Sequence, residues 1–163
     1  MLAPPTERLG DDLRRARQFA LLVPAVLLGG ALLSQYIGGL YPCEMCLWQR
    51  WPHRFAILFA IAAILLPPVV PRIRLLTLLA ALALAVSGAI GAFHAGVEYG
   101  WWEGVTTCTG GATTMSDIMN VPLVRCDQAQ WSLFGVSLAG FNAIFSLGGA
   151  ALVAFLATRK SAR

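Results

Sequence analysis

Residues 75–93 read LLTLLAALALAVSGAIGAF, nineteen positions without one charged side chain. At 1.5 Å per residue such a run reaches roughly 29 Å as a helix. That is the thickness of the hydrocarbon core of a bilayer. Three further blocks, at about 19–38, 49–66 and 133–157, have comparable length, and none carries an acid in its middle. Backbone polar groups in lipid must be satisfied within the segment, so helices are expected, and the two-residue period of a membrane barrel is absent. The composition agrees: 58% of the 163 residues are hydrophobic and 12% charged, where soluble domains carry about 25% charged. Mean hydropathy is +0.70. A disordered chain, a coiled coil and an ordinary cytosolic enzyme are excluded. The expectation is an all-α, polytopic membrane protein, a single domain over residues 1–163 built as a four-helix bundle.

Nine of the twelve basic residues flank these blocks on one side: Arg8, Arg14, Arg15, Arg17, Arg72, Arg74, Arg159, Lys160 and Arg163. The positive-inside rule puts that side, and both termini, in the cytoplasm. The basic residues form short clusters and no long stripe, so the net charge of +4 does not point to nucleic acid. A cleaved signal peptide is disfavoured by Glu7, Asp11 and Asp12 ahead of the first block. The outer side receives a short loop (39–48) and a long one (94–132). It also receives all five tryptophans, Trp48, Trp51, Trp101, Trp102 and Trp131, with Tyr36, Tyr41 and Tyr99, an interfacial aromatic belt. Ala83, Ser87, Gly91 and Ala95 form a four-residue stripe of small side chains on which another helix can pack.

All four cysteines, Cys43, Cys46, Cys108 and Cys126, fall in the outer loops. The outer side of a bacterial inner membrane is oxidising, so disulfides persist there. Three connectivities are possible; pairing within loops gives Cys43–Cys46 and Cys108–Cys126. Cys43-Glu44-Met45-Cys46 is a C-x-x-C. A bridge so short closes almost no loop and stabilises little, whereas such pairs are commonly redox-active. A zinc half-site would want another close cysteine or histidine pair. Cys108 and Cys126 lie 18 apart, so no metal is expected. Between them the loop reads as a mobile segment, with a short helix near 114–121, that offers a disulfide to a soluble partner.

Pro52 is tolerated in a first helical turn, so the second helix is expected to begin near Gln49, just after Cys46. Its N-terminus would lower a nearby thiol pKa. Arg50 in that turn can pair with a thiolate or an oxyanion. Arg54 reads as snorkelling and His53 as interfacial. Electrons leaving the cysteines need an acceptor. Leu47 follows Cys46, so there is no C-x-x-C-H haem motif, and no G-x-G-x-x-G opens a nucleotide site. A quinone reached from within the bilayer, its headgroup near Cys46, fits the architecture.

The run YPCEMCLWQR at 41–50 resembles the P-C-x-x-C-x-x-Q-R signature of the bacterial disulfide bond formation protein B family. The four spans, the second cysteine pair in the long loop, and His94-Ala95-Gly96-Val97-Glu98 with Trp101-Trp102 are similar to that family as well. The resemblance implies an inner-membrane thiol:quinone oxidoreductase. Cys43 and Cys46 would couple to ubiquinone or menaquinone, with Cys46 as the thiolate that meets the ring and Arg50 as the cation beside it. Cys108 would form a mixed disulfide with a periplasmic thioredoxin-like oxidase of the disulfide bond protein A type, and Cys126 would pass the electrons to Cys43. His94 or Glu98 would help hold the quinone. Two other readings use the same cysteines: a membrane scaffold with two structural disulfides, and an oxidoreductase of the vitamin K epoxide reductase type, in which the C-x-x-C sits late in the chain.

Overall fold

The computed structural model describes residues 5–67, 69–105 and 124–159. Cys108 and the short helix expected near 114–121 lie outside them. Four helices carry the fold: α1 (Pro5–Tyr36), α2 (Glu44–Leu65), α3 (Val70–Glu98) and α4 (Leu138–Thr158). Ahead of α4 runs a two-stranded hairpin, β1 (Ser132–Leu133) and β2 (Val136–Ser137), with Ser132 opposite Ser137 and Leu133 opposite Val136. Among the described residues, three helices are long and apolar enough to cross a membrane: α1 over Gly10–Tyr36, α3 and α4. The 22 residues of α2 carry Gln49, Arg50, His53 and Arg54 in the first half, so only the second half is a strongly apolar run.

Helix α3 runs five residues past the expected block 75–93 at each end, so residues 94–98, expected in the long outer loop, are helical. Three further boundaries differ from the sequence expectation, each for a local reason. Helix α2 starts at Glu44, well before Gln49. Cys43 is its N-cap in extended conformation, and its sulfur accepts the Cys46 amide hydrogen at 3.2 Å. That satisfies one of the amides a helix start leaves orphaned. Pro52 therefore sits inside the helix, where it removes the amide donor to the Trp48 carbonyl. Helix α1 extends back to Pro5, and from Leu13 on the part ahead of the apolar block packs against its neighbours. Leu13 and Ala16 join Ile73 and Ala157 in a buried cluster, and the Arg17 guanidinium donates to the Ala63 carbonyl at 3.1 Å. Helix α4 starts at Leu138 and not near 133, since Phe134 (φ 52°) and Gly135 (φ 78°) turn the chain through the left-handed region. Two consecutive positive φ angles make the tight turn that matches strand twist. Ser137 then caps α4 by accepting the Gly140 amide hydrogen at 3.1 Å.

The helices alternate in direction, so the ends at Tyr36, Glu44, Glu98 and Leu138 share one face of the bundle. Helix α3 packs most extensively, against α4 and α2. The middle of the bundle is built from Ala20, Ala56, Ala60, Ala80, Ala150, Leu84 and Val153, small side chains that let backbones approach. The stripe on α3 does what its spacing suggests. A Cβ on Gly91 would lie 2.9 Å from the Asn142 amide nitrogen and 3.0 Å from the Ala139 carbonyl of α4. At the cysteine end, Cys43, Met45, Val97, Val124 and Cys126 form a further buried cluster. The Tyr99 hydroxyl ties the hairpin to α3, donating to the Gly135 carbonyl at 3.0 Å and accepting from the Ser137 amide at 3.0 Å. The five tryptophans and three tyrosines all surround this end and all are exposed.

Candidate functional site

The chemistry begins at the first turn of α2, ahead of its apolar run. With Cys43 at the N-cap and Cys46 three residues on, the two sulfurs sit 2.8 Å apart. Cys43 is buried at 2% exposure, while Cys46 is half-exposed. The pair is electrostatically unequal. Cys43 donates its S–H to Cys46; that bond, and then burial, hold its thiol far above the usual range. The same bond lowers Cys46, and the Arg50 charge adds to the effect. Cys43 therefore holds its proton more tightly, and Cys46 is the sulfur that ionises more readily to the reactive thiolate form.

Three elements converge on these sulfurs. From α3, the His94 ring is buried at 1% exposure, with Nε2 3.5 Å from the Cys43 sulfur and Nδ1 2.9 Å from the Gln49 amide nitrogen. The backbone of Cys126 hydrogen-bonds to the same ring. One turn further along α3, Glu98 places Oε1 3.7 Å from His94 Nε2 and accepts from the Ser137 hydroxyl. From α2, Arg50 reaches α1, donating to Gln35 Oε1 at 2.6 Å and to the Ala31 carbonyl at 3.3 Å. It is 8% exposed. Both acceptors are neutral, so the guanidinium charge stays available to an anion. Segment 124–131 closes the top, with the Gln130 amide donating to the Tyr41 carbonyl at 2.6 Å.

A cavity of about 270 Å³ opens among these groups. Cys46, Arg50, His94 and Glu98 line it, together with Val26, Leu27, Gly30 and Ala31 of α1. Cys43, Cys46, Arg50, His94 and Glu98, all singled out from sequence, therefore share one cavity. Cys126 is fully buried beside Cys43.

Five polar residues form a network that the sequence reading did not foresee, although it gave Gln49, His53 and Ser87 other roles. Gln49 Oε1 accepts from the Asn142 amide at 2.8 Å, and Asn142 Oδ1 is 2.9 Å from His53 Nε2. The Ser87 hydroxyl donates to the Gln49 carbonyl at 2.9 Å, and the Ser146 hydroxyl donates to Asn142 Oδ1 at 2.9 Å. His53, expected at the interface, is instead 3% exposed. The network knits α2, α3 and α4 together directly beneath the sulfurs. The signal available was the presence of Gln, His, Ser and Asn inside otherwise apolar helices, where polar side chains face the bundle interior. Arg54 stays exposed, 4.7 Å over the Trp51 ring, as snorkelling requires.

The model of the family described as Disulfide bond formation protein DsbB matches residues 13–156. The chain belongs to the DsbB family. Disulfide bond formation protein B of Chromohalobacter salexigens is 31% identical over 144 residues, 88% of this chain and 78% of that protein. Disulfide bond formation protein B 1 of Pseudomonas putida is 31% identical over 152 residues, 90% of this chain and 87% of that protein. No solved structure matches. Membership of the DsbB family assigns the chain to disulfide bond formation in bacteria, as a thiol oxidoreductase held in a membrane by apolar helices. Within that frame Cys43 and Cys46 stand out as an adjacent and electrostatically unequal pair of sulfurs.

Proposed function

We propose that the protein takes electrons from a soluble dithiol oxidase of thioredoxin type and passes them to a membrane quinone, ubiquinone or menaquinone. The setting is a bacterial inner membrane. All four helices cross, both termini are cytoplasmic, and the cysteines face the periplasm. In this reading a thiolate of the partner attacks Cys108 of a Cys108–Cys126 disulfide, and Cys126 leaves as a thiolate. Cys126 then attacks Cys43 of a Cys43–Cys46 disulfide, and Cys46 leaves. The partner's second thiolate releases its own disulfide and frees Cys108. Cys108 attacks Cys126, restoring the first disulfide and leaving Cys43 and Cys46 reduced. The close packing of Cys126 on Cys43 supports the second exchange, and the depressed Cys46 thiol is the better leaving group.

The observation that carries the quinone assignment is the shared cavity: Cys46 and the cation Arg50 line a pocket that is also lined by the aliphatic Val26 and Leu27 of α1. Those residues fit a flat polar ring with an apolar tail. A bound quinone supplies a two-electron, two-proton acceptor that returns Cys43 and Cys46 to the disulfide. Arg50 holds negative charge at the mouth, His94 and Glu98 orient polar groups beside it, and Val26 and Leu27 exclude water below. The test is quinone-dependent oxidation of a reduced partner by the protein in membranes. Cys46→Ser is expected to abolish quinone reduction, and Cys108→Ser to abolish transfer from the partner. Full quinone-dependent turnover in Cys46→Ser would overturn the assignment.

A further inference from the structure

We propose that the reduced centre is also a binding site for a soft divalent cation of the zinc and cadmium class, with Cys43, Cys46 and His94 as ligands. Sequence spacing argues against zinc because no second close pair accompanies the C-x-x-C. The fold supplies the missing ligand from α3, 51 residues from Cys43. The two sulfurs and one nitrogen of His94 all lie within 4.8 Å of one another. In a tetrahedral site with Zn–S of about 2.3 Å and Zn–N of about 2.0 Å, neighbouring ligands stand roughly 3.5–3.8 Å apart. The Cys43 sulfur and His94 Nε2, at 3.5 Å, already satisfy that spacing. The sulfurs, at 2.8 Å, must open by about one ångström. A change of the half-exposed Cys46 rotamer can provide it.

Charge and surroundings suit the ion. The two thiolates neutralise a divalent cation, so the complex brings no net charge into a buried place. Binding displaces the Cys43 proton, and metal affinity rises with pH accordingly. His94 must offer its Nε2 lone pair, which puts the ring proton on Nδ1. Gln49 meets that nitrogen at 2.9 Å and itself meets Asn142. With both amides turned over, Gln49 Oε1 accepts from Nδ1–H, the outer-shell contact that orients ligating histidines, and the bonds from Gln49 to the Met45 carbonyl and from Asn142 to the Ser87 carbonyl are given up. The fourth position faces the cavity, which all three ligands line, and takes water. A bound cation consumes both thiolates and so locks the centre in its reduced form.

Cadmium titration of the full-length protein in detergent, fully reduced and then freed of reductant, tests this without reference to quinone. One equivalent is expected to raise a thiolate-to-cadmium absorbance band in the dithiol protein and none in the disulfide protein. Cys43→Ser and Cys46→Ser should remove the band. His94→Ala should weaken binding by at least the roughly 10–100-fold that loss of an outer-shell contact costs. Cobalt, read by its ligand-field spectrum, should show a shifted band in His94→Gln, which keeps a polar side chain of similar length. A Cys108→Ser, Cys126→Ser double variant should bind as the parent does. Binding that survives in the disulfide protein, follows Cys108 and Cys126, or is indifferent to both His94 variants overturns the site. Loss of turnover on cadmium addition, reversed by chelation, reports the consequence for catalysis; its absence alongside intact binding would count against the proposed function and leave the metal site standing.

Discussion

Arg50 is a buried cation whose two hydrogen-bond acceptors are neutral, an arrangement that costs free energy unless something negative shares the space. A thiolate at Cys46, which lines the same cavity, meets that need. Replacing Arg50 with methionine keeps much of the volume and removes the charge. Quinone reduction is then expected to fall by on the order of 10²-fold, the usual loss for one charge-stabilising donor, with exchange between partner and protein unchanged. Arg50→Lys should recover only part, since a point charge cannot hold Gln35 and Ala31 as a planar fork does. Stopped-flow traces with each substrate separately distinguish the two half-reactions. A second expectation concerns Cys46 alone. Its pKa is lowered by the Cys43 S–H bond and by Arg50, while that of Cys43 is raised. A lowered pKa keeps the thiolate populated as pH falls beneath the ordinary thiol value of about 8.5. Alkylation of the reduced protein at neutral pH should therefore modify Cys46 well ahead of Cys43, by peptide mass spectrometry. Equal modification would remove the asymmetry. Much at this scale is legible in sequence, because C-x-x-C with an arginine four residues on is a local pattern. The contact between His94 and Cys43 is not, since it depends on the register of α3 against α2.

Elements explain both what the sequence revealed and what it concealed. Apolar blocks mark helices through length and composition, so three crossing helices stand out. Helix ends depend on caps, and a cysteine acting as N-cap, or a phenylalanine at positive φ in a hairpin, gives no ordinary signal. Gly96 shows how an end is built. A Cβ there would lie 2.0 Å from the Trp102 ring, which stacks on Phe93 with centroids 5.7 Å apart and donates its indole N–H to the Phe93 carbonyl at 2.9 Å. Alanine at an ordinary helical position gains up to about 1 kcal/mol over glycine. At this one the ring must leave its stack, so Gly96→Ala is expected to destabilise the protein and redden Trp102 emission. Thermal unfolding and fluorescence in detergent measure both. Ser137 gives a smaller, separable effect. Ser137→Ala removes the cap of α4, at a cost of about 1 kcal/mol, and also withdraws the hydroxyl from Glu98.

At the scale of the whole molecule, the bundle is polarised from end to end. The described arginines of the proposed inner side, from Arg14 on α1 to Arg159 at the end of α4, stand at the end opposite the cysteines. The tryptophans, tyrosines and the redox cavity occupy the other. Loop arginines resist translocation, which supports the proposed topology with the cysteine end outside and α2 crossing. The polar first half of α2 has to sit near the interface, because an arginine at membrane depth costs about 3 kcal/mol on insertion scales. Here Arg50 lies near the helix start with Gln35 and Ala31 as acceptors, and Arg54 sits against Trp51 at the interface. The apolar run that remains ends at Leu65, deep enough to bring Pro67 to the far side. The arrangement predicts a labelling pattern in intact cells. Phe134→Cys, on the hairpin tip at 95% exposure, should react with a membrane-impermeant maleimide without permeabilisation. Thr158→Cys, exposed at the last residue of α4, should react only after the membrane is opened. Signal from the native cysteines is subtracted with the parent protein. The reverse pattern would set Cys43 and Cys46 on the reducing side of the membrane, where the disulfides they generate do not persist.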